Sequence, residues 1–193
     1  MPTPARTSLD SIVAAARGIL EADGLEALTM QRVAEVVGVR PPSLYKRVKS
    51  RDELVRLVNE DVASELADRV DRAAGSGDPR RDLRALAYAF REFGHANPGA
   101  YAAIFSRLPE ASRPDLATLA PANDAVVATA ASLAGTEYAL DSARLVVAWA
   151  HGFVSMELAG AFRLGGDVDA AFDFGIDRLT DALARASPGS HAE

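Results

Sequence analysis

The chain has 193 residues, 49% of them hydrophobic, with no cysteine and a formal net charge of -6. That length suits one larger domain or two small ones, and the missing cysteines exclude disulfides and thiolate metal sites. A negative total argues against a polyanionic partner unless a local patch reverses it, so charge has to be read segment by segment.

Met1–Leu9 holds two prolines and lacks the apolar run a secretion signal needs. Thr7 to Asp10 reads as a capping box, and Ile12, Ala15, Ala16, Ile19 and Leu20 then form one helical stripe. Asp23-Gly24 is a helix stop. Thr29 is a good N-cap for a second, short helix with Val33, Ala34 and Val37 inside, broken at Gly38-Val39. A third short helix opens on Pro41-Pro42, where a missing N–H costs nothing, and Leu44 and Val48 point the same way. Ser50 and Glu53 form a second capping box, opening a fourth helix that reaches towards Val70.

Ala74 to Pro79 is a loop, which places a boundary near residue 70. Beyond it, Leu83–Phe93 is helical, Asn97-Pro98-Gly99 is a break, and Tyr101–Leu108 is a short apolar helix. Pro109, Pro114 and Pro121 mark a less regular stretch before a helix at Ala125–Leu133. A long helix at Ser142–Leu164 is stopped by Gly165-Gly166, and Val168–Ala186 is the last helix, with Ser187–Glu193 frayed. The longest uncharged apolar stretch, Leu145–Met156, falls short of the ~20 residues of a membrane span. A cytoplasmic protein with no membrane partner is the expectation.

The order helix, short helix, Gly turn, short helix describes a helix-turn-helix. Between Thr29 and Arg51 the basic residues are Arg32, Arg40, Lys46, Arg47, Lys49 and Arg51, against Glu35 alone. Such a local excess supplies the phosphate affinity of a DNA binder. With Leu44 and Val48 turned inwards, Ser43, Lys46 and Arg47 project from the opposite side, the face that can enter a major groove. Tyr45 offers a hydroxyl to a phosphate oxygen, and Arg51 with the start of the fourth helix offers a second phosphate site. Taken without further context, the same charges also fit a solvated basic face on an ordinary bundle.

The string GLEALTMQRVAEVVGVRPPSLYKRVKSRDELV resembles the DNA-binding domain of the TetR family of bacterial regulators, over Ser8 to about Asp61. Gly24, Leu28, Thr29, Val33, Ala34, Gly38, Val39, Leu44, Tyr45, Val48 and Leu54 carry the likeness. It implies base reading by the third helix and phosphate holding by the Tyr and the basic positions after it. Those roles fall on Ser43, Tyr45, Lys46, Arg47 and Arg51, and on Gln31 for a contact from the second helix. Thr29, Arg40, Pro42 and Lys49 complete the expected DNA-binding set. Two departures stand out. Where members often carry a capping Ser or Thr two residues after the turn glycine, this chain has Arg40 and two prolines. Where His-Phe often follows the Tyr region, it has Arg47-Val48, a permanent cation.

In the second half, WAHGFVSMELAGAF with DVDAAFDFGIDRLTDAL looks like the C-terminal domain of a TetR subgroup named for a Trp-His-Gly motif. That likeness implies pairing of the last two helices between two copies. Gly152, Met156, Gly160, Phe172, Ile176 and Leu179 are the expected interface, with small residues allowing close approach. Tyr88, Phe93, His95, Tyr101, Phe105, Trp149, His151 and Phe153 could line an effector pocket or simply fill the core. His151, Ser155 and Glu157 would centre a rival, hydrolase-like reading. No nucleophile elbow and no metal-spaced cluster accompanies them, so no catalytic residue, metal or cofactor is expected. The expectation is all-α: a three-helix helix-turn-helix domain over residues 1–70 and a larger helical dimerisation and effector domain over 71–193, about nine helices in total. The function implied is a non-enzymatic, ligand-responsive repressor on a palindromic operator. An activator, or a regulator without an effector, is the alternative within the class.

Overall fold

The computed structural model describes residues 8–185, so Thr7 of the first expected capping box and the tail from Ala186 lie outside the described residues. Among these it contains nine α-helices and no strand. In order they are α1 (Leu9–Asp23), α2 (Met30–Val37), α3 (Pro41–Leu44), α4 (Arg51–Ala73), α5 (Pro79–Ala96), α6 (Pro98–Ile104), α7 (Leu116–Ala134), α8 (Ala139–Leu158) and α9 (Val168–Arg185). No described helix is long and apolar enough to cross a membrane.

Two compact units result. The first joins residues 1–65 to 97–119, the second 66–96 to 120–193. The crossing at 65/66 lies near the expected boundary at residue 70, and the chain crosses twice more, at 96/97 and 119/120. In the first unit, α1 is capped by Ser8, whose hydroxyl accepts from the Ser11 amide at 3.1 Å. Its buried face is Ile12, Ala16, Ile19 and Leu20. It packs on both α2 and α6. The Glu21 carboxylate accepts from the amides of Gly99 and Ala100 at 2.8 and 2.9 Å, capping α6. Arg17 reaches Asp61 at 2.9 Å, the Asn97 side chain at 3.1 Å, and Glu65. Ser112 donates to Asp52 at 2.9 Å. The ties from Glu21, Arg17 and Asp52, together with the buried Ala100, Tyr101, Ala103 and Leu108, hold residues 97–119 to the first unit. Asn59 on α4 is fully buried, and neither polar atom of its side chain has a hydrogen-bond partner.

In the second unit α5, α8 and α9 pack pairwise around Leu83, Ala87, Val146, Phe172, Ile176 and Leu183. Tyr88, Trp149 and Phe153 converge on Phe172, with ring centroids 5.2, 5.0 and 5.1 Å away. Gly175 leaves room for the indole: a Cβ there would lie 2.3 Å from Trp149 Cζ2. Along the α5–α9 seam Arg80 pairs with Asp181 at 2.6 Å, Arg84 with Asp173 at 2.6 Å and with Asp177, and Arg91 with Asp169 at 2.5 Å.

Three helix limits differ from the expectation. Helix α7 begins at Leu116 and runs through Pro121. Helix α8 starts three residues before Ser142 and ends at Leu158, not Leu164. There Gly160 takes a left-handed φ of 60° and Ala161 donates to the Met156 carbonyl at 2.8 Å, closing the helix before Gly165-Gly166 is reached. The expected interface residues separate accordingly. Phe172 and Ile176 are 0% exposed inside one protomer and have no surface to offer a second copy. Leu179 is half-buried, and Gly160 lies past the helix end. What α8 does expose is a row of Leu145, Ala148, Gly152 and Met156, continued by Ala159 just past its end. Leu145 is 48% and Met156 46% accessible.

Candidate nucleic-acid interface

Helix α2 is short because both ends are fixed locally. The Thr29 hydroxyl accepts from the Arg32 amide at 3.2 Å. At the other end Gly38 sits at φ 76°, ψ 35°, a left-handed turn that would strain a side chain, and Val39 donates to the Ala34 carbonyl at 2.9 Å. Met30, Val33 and Ala34 are buried, while Gln31 and Glu35 point outwards and bond each other at 3.1 Å.

Helix α3 is a single turn led by Pro41 and Pro42, with Arg40 at the cap position making no side-chain cap bond. Proline supplies fixed φ and no amide, so the first donor is Ser43, whose amide bonds the Arg40 carbonyl at 2.9 Å. Leu44 and Val48 are 0% exposed. Their burial turns Tyr45, Lys46 and Arg47 to the surface, leaves Lys49 exposed, and leaves Ser43 half-buried. The following capping box forms: Ser50 accepts from the Glu53 amide at 3.1 Å, and the Glu53 carboxylate from the Lys49 amide at 2.6 Å.

Of the six cations in this segment, two are engaged. Arg32 pairs with Asp23. Arg51 donates through Nε to the Leu28 carbonyl and through Nη2 to the Leu25 carbonyl, both at 2.7 Å. Arg40, Lys46, Arg47 and Lys49 have no charged or hydrogen-bonded side-chain partner among the described residues. Arginines elsewhere, among them Arg17, Arg56, Arg80, Arg84 and Arg91, are tied into ion pairs. A cluster of uncommitted cations on one side of a buried apolar pair is thus built by the fold, and it can meet phosphates without first breaking internal bonds.

The residues expected to line an effector pocket are distributed over both units. Tyr101 and Phe105 belong to the first unit and meet at a tilt, ring centroids 4.9 Å apart. Tyr88, Trp149 and Phe153 meet around Phe172 in the second unit. Phe93 is fully buried there with Arg69 above its ring at 5.7 Å. His95 Nε2 lies 3.1 Å from Glu157, whose carboxylate is also gripped by Arg91 at 2.5 Å. Burial pushes the Glu157 carboxyl up, but the bonds from Arg91 and His95 outweigh it and hold it below the usual range. His151 is half-buried, which lowers its pKa. Glu157, the carboxylate of the hydrolase-like reading, is therefore committed to α5. Among the described residues no group of three or more His, Asp or Glu could hold a metal.

The aspartates at 169, 173 and 177 recur every four residues on α9, opposite Arg84 and Arg91 on α5. That spacing is legible in the sequence as a partner for the basic residues of α5, and apolar periodicity alone does not register it.

Comparison with known proteins gives one answer from several directions. Residues 12–58 match the bacterial regulatory proteins of the tetR family, and residues 83–179 match the tetracyclin repressor-like C-terminal domain. The HTH-type transcriptional regulator Rv0681 of Mycobacterium tuberculosis, itself uncharacterized, is 33% identical over 191 residues, covering 94% of this chain and 84% of that protein. The HTH-type transcriptional repressor DrrR1 of Streptomyces coeruleorubidus is 40% identical over 86 residues, 45% of this chain and 31% of that one. Among solved structures, the regulatory protein SCO4313 superposes with a TM-score of 0.77 at 27% identity, covering 92% of this chain and 98% of its own. A TetR variant from Acinetobacter baumannii AYE, crystallised with minocycline, gives 0.67 at 24% identity over 92% and 97%.

Proposed function

The chain belongs to the TetR family of bacterial regulators and is a helix-turn-helix transcriptional regulator; from that premise we propose that it is a repressor that grips a palindromic operator as a homodimer and releases it when a small molecule occupies the second unit. The observation that carries the DNA half of this reading is the set Arg40, Lys46, Arg47 and Lys49, exposed and unpaired beside the fully buried Leu44 and Val48. Ser43 and Lys46 face the bases, with Pro42 beside them as an apolar edge. Tyr45, Arg47 and Lys49 hold phosphates, and Arg40 sits at the entrance of α3. Gln31 and Thr29 add contacts from α2, Gln31 after exchanging Glu35 for a base. Arg51 acts indirectly, by fixing the turn at Leu25–Leu28 against the start of α4.

One such head spans few base pairs. A two-fold pair presents two heads about 34–36 Å apart, one turn of the duplex. The exposed row on α8 from Leu145 to Met156 supports a second copy as the partner, because an uncharged apolar row is costly to leave in water. An effector then acts by favouring a head spacing that no longer matches the operator. The minocycline complex of the Acinetobacter protein and the repressor name of DrrR1 support a ligand-released repressor.

The test is selection of a binding sequence from random duplexes, followed by affinity measurements across a salt series. Lys46→Ala should relax preference at one half-site position by ~1–3 kcal/mol. Lys49→Ala should weaken all sequences alike and reduce the salt slope by about one unit. Failure of any sequence to enrich would sink the reading.

A further inference from the structure

The second unit holds fifteen acidic residues against ten basic ones, yet one of its clefts has the opposite sign. Between the first turns of α5 and the second half of α9 lies a cleft of about 380 Å³ lined by Arg80, Arg81, Arg84, Arg178, Asp177 and Asp181. Arg84 is committed to both Asp173 and Asp177. That leaves Arg80, Arg81 and Arg178 around Asp181, three guanidiniums against one carboxylate. Asp181 is shared, with Arg80 at 2.6 Å and Arg178 at 3.6 Å. The Arg80 hydrogen bond, with Arg178 and Arg185 adding their fields, holds the Asp181 carboxyl below the usual range. Arg81 is exposed and has no ion-pair partner among the described residues.

Asp181 thus behaves as a resident anion in a ring of guanidiniums that it only partly neutralises. We propose that this cleft binds a phosphate monoester group of a small molecule, held by Arg81 and Arg178 together with Arg80. Charge selects the ligand class. A phosphate monoester carries close to two negative charges above its second pKa of about 6, and three acceptor oxygens. It therefore suits three guanidiniums that share a single carboxylate, where a ligand carboxylate or a DNA phosphodiester supplies only one charge. Planar guanidiniums suit bidentate grips on such oxygens. The site is separate from the helix-turn-helix and does not depend on the operator reading.

The probe is inorganic phosphate at pH 8, titrated calorimetrically into the full chain and compared with chloride at equal ionic strength. The uncommitted cations of the first unit also attract phosphate, so the decision rests on variants of the cleft. Wild type should bind one phosphate per chain saturably in excess of chloride. Arg81→Ala with Arg178→Ala should abolish that binding while the circular dichroism and melting of the protein remain those of a folded chain. Asp181→Asn removes the competing carboxylate and should tighten phosphate about threefold or more, the scale of one exposed charge pair. A purely structural role for Asp181 predicts no such gain. Phosphate indistinguishable from chloride, full binding by the double variant, or weaker binding by Asp181→Asn would each overturn the proposal. So would a double variant that leaves phosphate binding intact but lowers the salt slope on random duplex DNA, which would make the cleft a DNA contact.

Discussion

Arg51 shows how far a single side chain can be read in advance. Its charge places it in the basic segment, but its guanidinium donates to carbonyls 23 and 26 residues earlier, a pairing that no local pattern encodes. Charge-assisted bonds of this kind are each worth ~1.5–3 kcal/mol when a partner would be left unmet. Arg51→Ala should therefore lower the melting temperature of the protein measurably while leaving the salt slope of DNA binding unchanged. The reverse pattern would return Arg51 to the phosphate contacts expected from sequence. Asn59 makes the complementary point. It follows Val58 and precedes Glu60 on α4, and it is fully buried with both polar atoms unmet among the described residues. Replacing a buried, unbonded polar group by an apolar one of similar size removes a desolvation cost of ~1–3 kcal/mol. Asn59→Leu should raise the midpoint of urea unfolding, and a lowered midpoint would mean that Asn59 has a polar role this arrangement does not display. What the sequence made legible at this scale was residue type and side of helix; which cations were already spent was not, because their partners are distant in the chain.

At the scale of elements, the helices with clean local grammar came through. Helix α1 with its Gly24 stop, α2 between Thr29 and Gly38, and α4 after its Ser50–Glu53 box all follow from caps and periodicity. The failures share a cause, competition between two plausible stops. Pro121 suggests a later start for α7, but the helix begins at Leu116 and carries the proline as its sixth residue, where the lost amide bond weakens the helix without ending it. Gly165-Gly166 looked the stronger end for α8, but Gly160 comes first in the chain and closes the helix. The aromatic centre of the second unit depends on a feature with no periodicity at all, the absence of a side chain at Gly175. A Cβ there would overlap Trp149, and relieving that overlap means moving the indole or α9. Overpacking of this sort costs typically ~1–3 kcal/mol. Gly175→Ala should be destabilised by about that much, with a shift in the emission of the chain's single tryptophan. Unchanged emission and stability would show that the indole sits elsewhere in solution.

For the whole molecule, the return of residues 97–119 to the first unit is not legible in the sequence. Glu21 and Arg17 reach Gly99, Ala100 and Asn97, and Ala100, Tyr101 and Ala103 are buried, contacts between segments some 80 residues apart that local patterning does not foresee. The proposed dimer is tested at this scale. Gly152 is the centre of the exposed α8 row, has nothing within 4 Å of a Cβ, and lies in an ordinary helix, so Gly152→Glu can be folded by one protomer. It would bury an unpartnered charge only if a second copy covers it. Light scattering should show dimers for wild type and monomers for Gly152→Glu, with operator affinity lost although the first unit is untouched. A wild-type monomer that binds a palindrome tightly would defeat the dimer. The row is also narrow. Leu145, Ala148, Gly152 and Met156 follow one another at intervals of three and four residues, so at about 100° per residue they occupy roughly 80° of the circumference of α8 over about 16 Å of its length. A second helix that covers so narrow a stripe has to run lengthwise along α8, because a steeply crossing one would leave an end of the stripe in water.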